Sequence, residues 1–176
     1  MKITVYLGSA HGRTPKYAEA VRELGTWIGA HGHDLVYGGS DVGLMGLLAR
    51  SVLSAGGEVV GIEPQFLIDK VVQLPEITEL ISVETMSDRK KLLIEKGDAF
   101  IAFPGGTGTL EEISEIMSRT VMGLSEKPCI IYNLDHYYDH LEALLEHMMQ
   151  EGLLIPDGKR RIRFLTSIEE LEEILG

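Results

Sequence analysis

The chain of 176 residues is poor in cysteine and in basic residues, and both shortages limit its function. Its single cysteine, Cys129, cannot form an internal disulfide and lies in an apolar run typical of a buried strand, so we expect a thiol in the core. Lysine and arginine total 16 against 27 acidic residues. The resulting net charge of −11 disfavours general nucleic-acid binding, which depends on a basic surface.

The sequence also has no long hydrophobic run. No stretch reaches the roughly 18 apolar residues that a membrane span requires, so no membrane association is predicted. Residues 1–8 combine a charge with a short apolar run, but a glycine segment and a helix follow at once, unlike a signal peptide. We therefore expect a cytoplasmic protein with one domain over residues 1–176.

Several catalytic and cofactor signatures are missing. Only His136 and His140 are four residues apart, and no third ligand accompanies them, so no metal is expected. The lysine of a G-x-x-x-x-G-K-[ST] phosphate loop is absent, and the first strand does not lead into G-x-G-x-x-G, which disfavours a redox dinucleotide. There is no G-x-S-x-G segment, and a core-like Cys129 is a poor nucleophile. We expect no cofactor.

Strand and helix patterns alternate along the chain. Apolar runs predict strands at 2–7, 35–37, 58–62, 78–83, 98–103, 128–132 and 162–165. Thr14 with Pro15, and later Ser87, have the pattern of helix starts, whereas 63–75 is expected to be an irregular loop or lid. This order predicts an α/β protein with a doubly wound, Rossmann-like, mostly parallel sheet and helices on both faces.

Three glycine-rich segments follow predicted strands. In a doubly wound sheet, ligands bind at the carboxyl ends of the strands beside the switch point in strand order, so the three segments can converge there. Glycines let the backbone approach a phosphate, and the free N–H groups of a following helix point at it. The candidate binding residues are Gly8, Ser9, Gly38, Gly39, Gly43, Met45, Gly46, Met86, Lys90, Pro104, Gly105, Gly106, Thr107, Gly108, Thr109, Glu111 and Glu115.

Charged residues accompany the glycine segments. Arg89 and Lys90, after Met86, are expected in the first turn of a helix, where cations oppose the macrodipole unless an anion binds beside them. Glu111 and Glu112 are expected in the first turn of the helix after the glycine run. Carboxylates beside a phosphate site suggest an enzyme that acts on a nucleotide.

Three further charged features have open interpretations. Glu115 follows Glu112 by one turn and is expected to share its face. His11 lies in a candidate ligand loop, although a solvated loop residue is the simpler interpretation. The basic cluster 159–161 with Arg163 is expected to be a solvated loop, with a local anion site or a partner contact as alternatives.

Together these segments resemble the Lonely Guy family of cytokinin-activating nucleoside 5′-monophosphate phosphoribohydrolases, many of which are labelled lysine decarboxylase-like. The family signature P-G-G-x-G-T-x-x-E is matched by residues 104–112, and its G-L-M-G element by 43–46. The family's Arg-Lys pair after a methionine is matched by Arg89 and Lys90. The resemblance extends from Gly8 to about Tyr138.

The resemblance implies hydrolysis of the N-glycosidic bond of AMP or an N6-modified AMP, such as the isopentenyl nucleotide, to free base and ribose 5-phosphate. By position, Arg89 and Glu112 match the family's catalytic pair, and residues 105–109 match its phosphate-binding residues. A homodimer with sites near the interface is implied as well. Departures at Ser40, at Ser87 with Asp88, and at Glu63 leave the preferred base open.

Two other functions remain as alternatives. Some relatives of this fold carry a nucleotide-like cofactor, such as molybdenum cofactor, without catalysis. A carrier would not need both Arg89 and Glu112, so their presence favours the enzyme. A pyridoxal-phosphate decarboxylase would need a Schiff-base lysine, and Lys90 and Lys91 are the only lysines near the predicted site.

Overall fold

A computed structural model describes residues 1–70 and 72–176. Within these ranges the strands are β1 (Lys2–Tyr6), β2 (Asp34–Tyr37), β3 (Val59–Pro64), β4 (Glu79–Val83), β5 (Ala99–Ala102), β6 (Cys129–Tyr132) and β7 (Ile162–Leu165). The helices are α1 (Lys16–Ala30), α2 (Gly43–Ser54), α3 (Gln65–Ile68), α4 (Met86–Lys96), α5 (Thr107–Val121), α6 (Asp139–Gln150), α7 (Pro156–Arg160) and α8 (Ile168–Leu175).

The strands form one sheet in the order β4-β3-β2-β1-β5-β6-β7, and every neighbouring pair is parallel. The chain runs outward from β1 to β4, then returns to the other side of β1 with β5. Thr4 accordingly lies opposite Val36 on one side and Phe100 on the other. The predicted doubly wound sheet is confirmed, and its switch point lies between β1 and β5.

Apolar residues on the two faces of the sheet form two core layers. Alternate residues of β1 face opposite sides, so Ile3 packs in the layer with α1, α2 and α8, whereas Tyr6 packs in the layer with α4, α5 and α6. Cys129 is fully buried in the second layer, and burial raises the pKa of its thiol to about 12. The expected core thiol is confirmed.

Some predicted boundaries were wrong by one or two residues. Helix α1 begins at Lys16, with Pro15 as a cap that makes no side-chain hydrogen bond, so Thr14 is not the N-cap. Helix α4 begins at Met86, and Thr85 rather than Ser87 caps it. The Thr85 hydroxyl accepts a hydrogen bond from the Asp88 backbone N–H at 3.1 Å and donates to the Asp88 carboxylate at 2.6 Å.

Two segments predicted to be irregular contain regular structure. In the predicted loop 63–75, β3 continues to Pro64, α3 follows, and Ser40 forms an antiparallel bridge with Gln73. Residue 71 of that loop lies outside the described residues. The basic cluster 159–161 was expected in a loop, but its first two residues lie in α7.

No helix in the described ranges combines the length and apolarity needed to cross a membrane.

The position of the α4 cap can be tested by paired substitutions. Thr85→Ala removes the side chain that holds the Asp88 N–H, so we expect the free energy of unfolding to fall by about 1 kcal/mol. Ser87→Ala, at the residue that the sequence favoured as cap, should change it by less than about 0.5 kcal/mol. Urea denaturation of both variants measures the difference, and a larger loss in Ser87→Ala would contradict the assignment.

Candidate active site

A cavity of about 350 Å³ opens where the carboxyl ends of β1 and β5 meet. All three glycine segments and the start of α4 contribute to its wall. The lining residues are Leu7, Gly8, Ser9, Met45, Met86, Arg89, Lys90, Gly106, Thr107, Gly108, Thr109, Glu111 and Glu112. Leu7 is the one member of this set that the sequence analysis did not name. The structure therefore brings the predicted segments together.

Seven candidate residues do not line this cavity, and two of them, Pro104 and Gly105, line a neighbouring one: Gly38, Gly39, Gly43, Gly46, Pro104, Gly105 and Glu115. Gly38 leaves room for the Arg89 guanidinium and the Met45 methyl, which a Cβ would overlap. Gly43 has a φ of +59° and packs under the Ser9 carbonyl, so a side chain there would be both strained and obstructed. These glycines shape the cavity without contacting its interior.

The innermost charges are an ion pair between Arg89 on α4 and Glu112 on α5. The Arg89 Nη1 lies 3.2 Å from the Glu112 Oε1, and the two side chains are only 14% and 12% exposed. The Arg89 Nε also donates to the Ile62 carbonyl at 3.1 Å, which fixes the guanidinium against β3. The Arg89 guanidinium is therefore held by both α5 and β3.

Burial raises the pKa of the Glu112 carboxyl, and the adjacent Arg89 charge lowers it by a smaller amount. The negative charge of Glu111 adds a further increase, and Lys90 opposes it. The net result is a carboxyl group with a raised pKa at the wall of the cavity. Such a shift at a cleft is typical of catalytic acids and bases.

Lys90 is already paired within the chain. Its Nζ lies 2.7 Å from Glu111 Oε1 and 3.9 Å from Glu115 Oε2. The hydrogen bond with Glu111 is the main cause of the raised pKa of the lysine. The expectation that Glu115 shares the face of Glu112 is thus refined, because its carboxylate joins that of Glu111 around Lys90.

The carboxylates sit one turn later than expected. Helix α5 begins at Thr107, so Glu111 and Glu112 lie in its second turn, and its first turn carries no acid. The cap, Gly106, has no side chain, and the first turn of α5 lines the cavity without a carboxylate of its own. A helix N-terminus of this kind stabilises an anion by about 0.3–1 kcal/mol when exposed and by up to about 2 when partly buried.

Three other features lie outside this cavity. Glu63 is buried behind Gly39, where desolvation raises its pKa and Gln73 donates to it at 3.2 Å. His11 is exposed on the first glycine loop. Arg160, Arg161 and Arg163 line a different cavity, of about 440 Å³, with Lys127. Among residues 1–70 and 72–176, no cluster of His, Cys, Asp or Glu could hold a metal ion.

Tyr137 contacts the glycine run, and the sequence analysis did not name it as a site residue. Its hydroxyl donates to the Gly105 carbonyl at 2.7 Å, and its ring helps to line a second cavity of about 520 Å³. Gly8 and Gly106 line both cavities, so the glycine run forms the wall between them. The available signal was a tyrosine pair just after a predicted strand end, which is where ligand-site residues of such sheets lie.

Comparisons of sequence place this architecture among known proteins. A family profile described as "Possible lysine decarboxylase" matches residues 45–175. A cytokinin riboside 5′-monophosphate phosphoribohydrolase of Rhodococcoides fascians is 41% identical over 172 residues, covering 95% of this chain and 85% of the relative. A protein of the same name from Arabidopsis thaliana is 36% identical over 170 residues, covering 97% and 80%.

Solved structures share the fold at lower identity. A molybdenum cofactor binding protein from Rippkaea orientalis superposes with a TM-score of 0.73 at 23% identity, covering 99% of this chain and 97% of that one. The molybdenum cofactor carrier protein of Chlamydomonas reinhardtii gives 0.73 at 18% identity, with the same coverage. At these identities the likeness shows the fold alone.

The pH dependence of stability tests the raised pKa of Glu112. A raised folded-state pKa means that ionisation destabilises the fold. The contribution of Glu112 to the free energy of unfolding is therefore fully favourable below the ordinary pKa of glutamate. It is lost as the pH rises through the folded-state pKa. Glu112→Gln cannot ionise, so its free energy of unfolding should rise relative to wild type across that window and then level off.

Urea denaturation at a series of pH values from about 4 to about 8 measures this difference. Glu115→Gln, which removes a more exposed carboxylate from the same helix, is the matched control. A relative stability that instead falls as the pH rises would show that the ion pair with Arg89 outweighs burial.

Proposed function

The chain belongs to the Lonely Guy family, and we propose that it hydrolyses the N-glycosidic bond of a nucleoside 5′-monophosphate. The substrates are AMP or N6-modified AMP such as the isopentenyl nucleotide, and the products are the free base and ribose 5-phosphate. The observation that supports this function best is the partly buried Arg89–Glu112 pair, which lines the same cavity as the N-terminus of α5.

The 5′-phosphate is proposed to bind at the start of α5. The backbone N–H groups of residues 106–109 and the hydroxyls of Thr107 and Thr109 are the donors at this wall. A phosphate bound there gains from both the hydrogen bonds and the helix macrodipole. The ribose would then extend toward the second turn of the same helix, where Glu112 lies.

Cleavage of the glycosidic bond places positive charge on the ribose, as in glycoside hydrolysis. Glu112 is proposed to stabilise this charge and to activate the water that adds to the anomeric carbon. Its Oε1 is held by Arg89, and its Oε2 makes no hydrogen bond with any described residue, which leaves that oxygen for the ribose or the water. Arg89 would orient the carboxylate and stabilise the negative charge that develops on the departing base, which takes up a proton in place of the one that Glu112 removes from the water.

We extend the proposal to the assembly and the compartment. A homodimer with its sites near the interface is supported by two large apolar side chains beside the cavity, Met86 and Leu110, which are 38% and 44% exposed. Work in the cytoplasm is supported by a lone cysteine that is buried and unpaired. Sedimentation at several concentrations tests the dimer, and a monomer at all of them would contradict it.

The decarboxylase description of the family profile is not supported by the site. A Schiff base needs a neutral lysine amine as nucleophile. Lys90, the lysine in the cavity wall, has a raised pKa because Glu111 accepts a hydrogen bond from it, which keeps the amine protonated. The carrier function remains the second candidate, and the fold shared with molybdenum cofactor carriers is its support.

Product analysis tests the proposed activity. Wild-type protein incubated with AMP and with N6-isopentenyl-AMP should release free base and ribose 5-phosphate, and chromatography of the mixture ranks the two bases. Glu112→Gln should lower kcat by about 10²–10⁴-fold, the usual range for removal of a general base.

Glu111→Gln is the matched control, because it removes the adjacent carboxylate, whose side chain is 62% exposed and which pairs with Lys90. It should retain kcat within about tenfold. If neither nucleotide is cleaved and both are recovered bound and intact, the hydrolase proposal fails for these substrates and the carrier function takes its place.

A further inference from the structure

Each backbone carbonyl of residues 103–105, between β5 and α5, accepts a hydrogen bond from a residue outside the glycine run. The Tyr138 hydroxyl donates to the Phe103 carbonyl at 3.0 Å, the Gly8 N–H donates to the Pro104 carbonyl at 3.2 Å, and the Tyr137 hydroxyl donates to the Gly105 carbonyl at 2.7 Å. Three successive peptide units therefore have fixed orientations before α5 begins.

The carbonyl and the N–H of a trans peptide unit point in opposite directions. The Gly105 carbonyl points to Tyr137, which lines the second cavity. The N–H in the same peptide unit belongs to Gly106, which lines the first cavity as well. This N–H has no hydrogen-bond partner within residues 1–70 and 72–176. The bond to Tyr137 thus turns one free donor away from the tyrosine, and the candidate phosphate site is the cavity that Gly106 lines without Tyr137.

The backbone before Tyr137 adopts unusual angles to place it there. Asp135 and His136 have φ values of 49° and 63°, a left-handed conformation that costs non-glycine residues about 1–2 kcal/mol each. Local contacts maintain it: Asp135 pairs with Lys16, and His136 lies 3.2 Å from Asp139. Strained backbone conformations that surrounding contacts maintain cluster at active sites and ligand-binding sites.

We infer that Tyr137 is a positioning residue, which orients the Gly105–Gly106 peptide so that the Gly106 N–H donates to the 5′-phosphate. This inference rests on the proposed function for the identity of the ligand. Tyr137 itself does not contact the phosphate. Its role is to keep the donor aimed when the site is empty, so that phosphate binding need not reorient a flexible glycine peptide.

Tyr138 provides an internal control of the same chemistry. Its hydroxyl holds the Phe103 carbonyl, but the nitrogen in that peptide unit belongs to Pro104 and carries no hydrogen. Loss of the Tyr138 hydroxyl therefore removes a tyrosine–carbonyl bond two peptide units earlier in the same run without affecting any N–H donor. Tyr138 is also buried, whereas Tyr137 is 43% exposed and its carbonyl partner can be rehydrated.

The test compares Tyr137→Phe with Tyr138→Phe. Calorimetric titration with ribose 5-phosphate should show a dissociation constant about three- to tenfold higher in Tyr137→Phe, the effect of one hydrogen bond of ordinary strength. The KM for AMP should rise by the same factor, with kcat changed by less than about twofold, because phosphate binding is equal in ground and transition states. Tyr138→Phe should leave the dissociation constant for ribose 5-phosphate and the KM for AMP unchanged, and it should lower the thermal unfolding midpoint.

An unchanged dissociation constant in Tyr137→Phe would overturn the inference, and so would an equal increase in Tyr138→Phe, which would indicate general loosening. Failure of the proposed function has a different signature. Wild-type protein would then bind ribose 5-phosphate without cleaving any nucleotide, and the titration would still decide the role of Tyr137. Wild-type protein that binds neither ribose 5-phosphate nor inorganic phosphate overturns both.

Discussion

The partly buried ion pair between Arg89 and Glu112 is the interaction on which the candidate site depends. Two charges removed from water are tolerated only when each has a well-placed partner, and loss of either leaves the other uncompensated. The pair joins α4 to α5 across the carboxyl edge of the sheet. Its geometry requires a carbonyl at Ile62 for the guanidinium and an absent side chain at Gly38. Residues distant in sequence are therefore constrained by one contact.

The same contact explains why the neighbouring charges are arranged differently. Glu111 and Glu112 are adjacent on α5 but lie about 100° apart around a helix with 3.6 residues per turn, so they face different partners. Glu112 turns inward to Arg89, whereas Glu111 and Glu115 enclose Lys90 nearer the surface. A protonated lysine with two carboxylates is a structural cluster. It lines one side of the cavity, and the inner pair is the one that we propose to be catalytic.

The sequence predicts most of the fold and the composition of the cavity, because alternating strand and helix patterns imply a parallel sheet whose loops meet at one edge. It does not predict the Thr85 cap, since Thr85 and Ser87 are both good caps and only the packed helix decides between them. The bond from Tyr137 to Gly105 is equally hidden, because it depends on left-handed angles at residues that are not glycine. Pairing between α4 and α5 requires their relative positions, which periodicity does not give.

Electrostatics at the site favour the proposed hydrolysis over storage of a nucleotide. A protein that only holds a phosphate needs the glycine run and the helix N-terminus, and a carboxylate nearby repels its ligand. Here burial raises the pKa of Glu112 even though Arg89 pairs with it, so the site disfavours the negative charge of Glu112 in the protein without ligand. The arrangement becomes favourable when a positive charge develops on the bound ribose. Under the proposed function, the site is complementary to the transition state of glycosidic cleavage rather than to a stored nucleotide, and such complementarity is what accelerates a reaction.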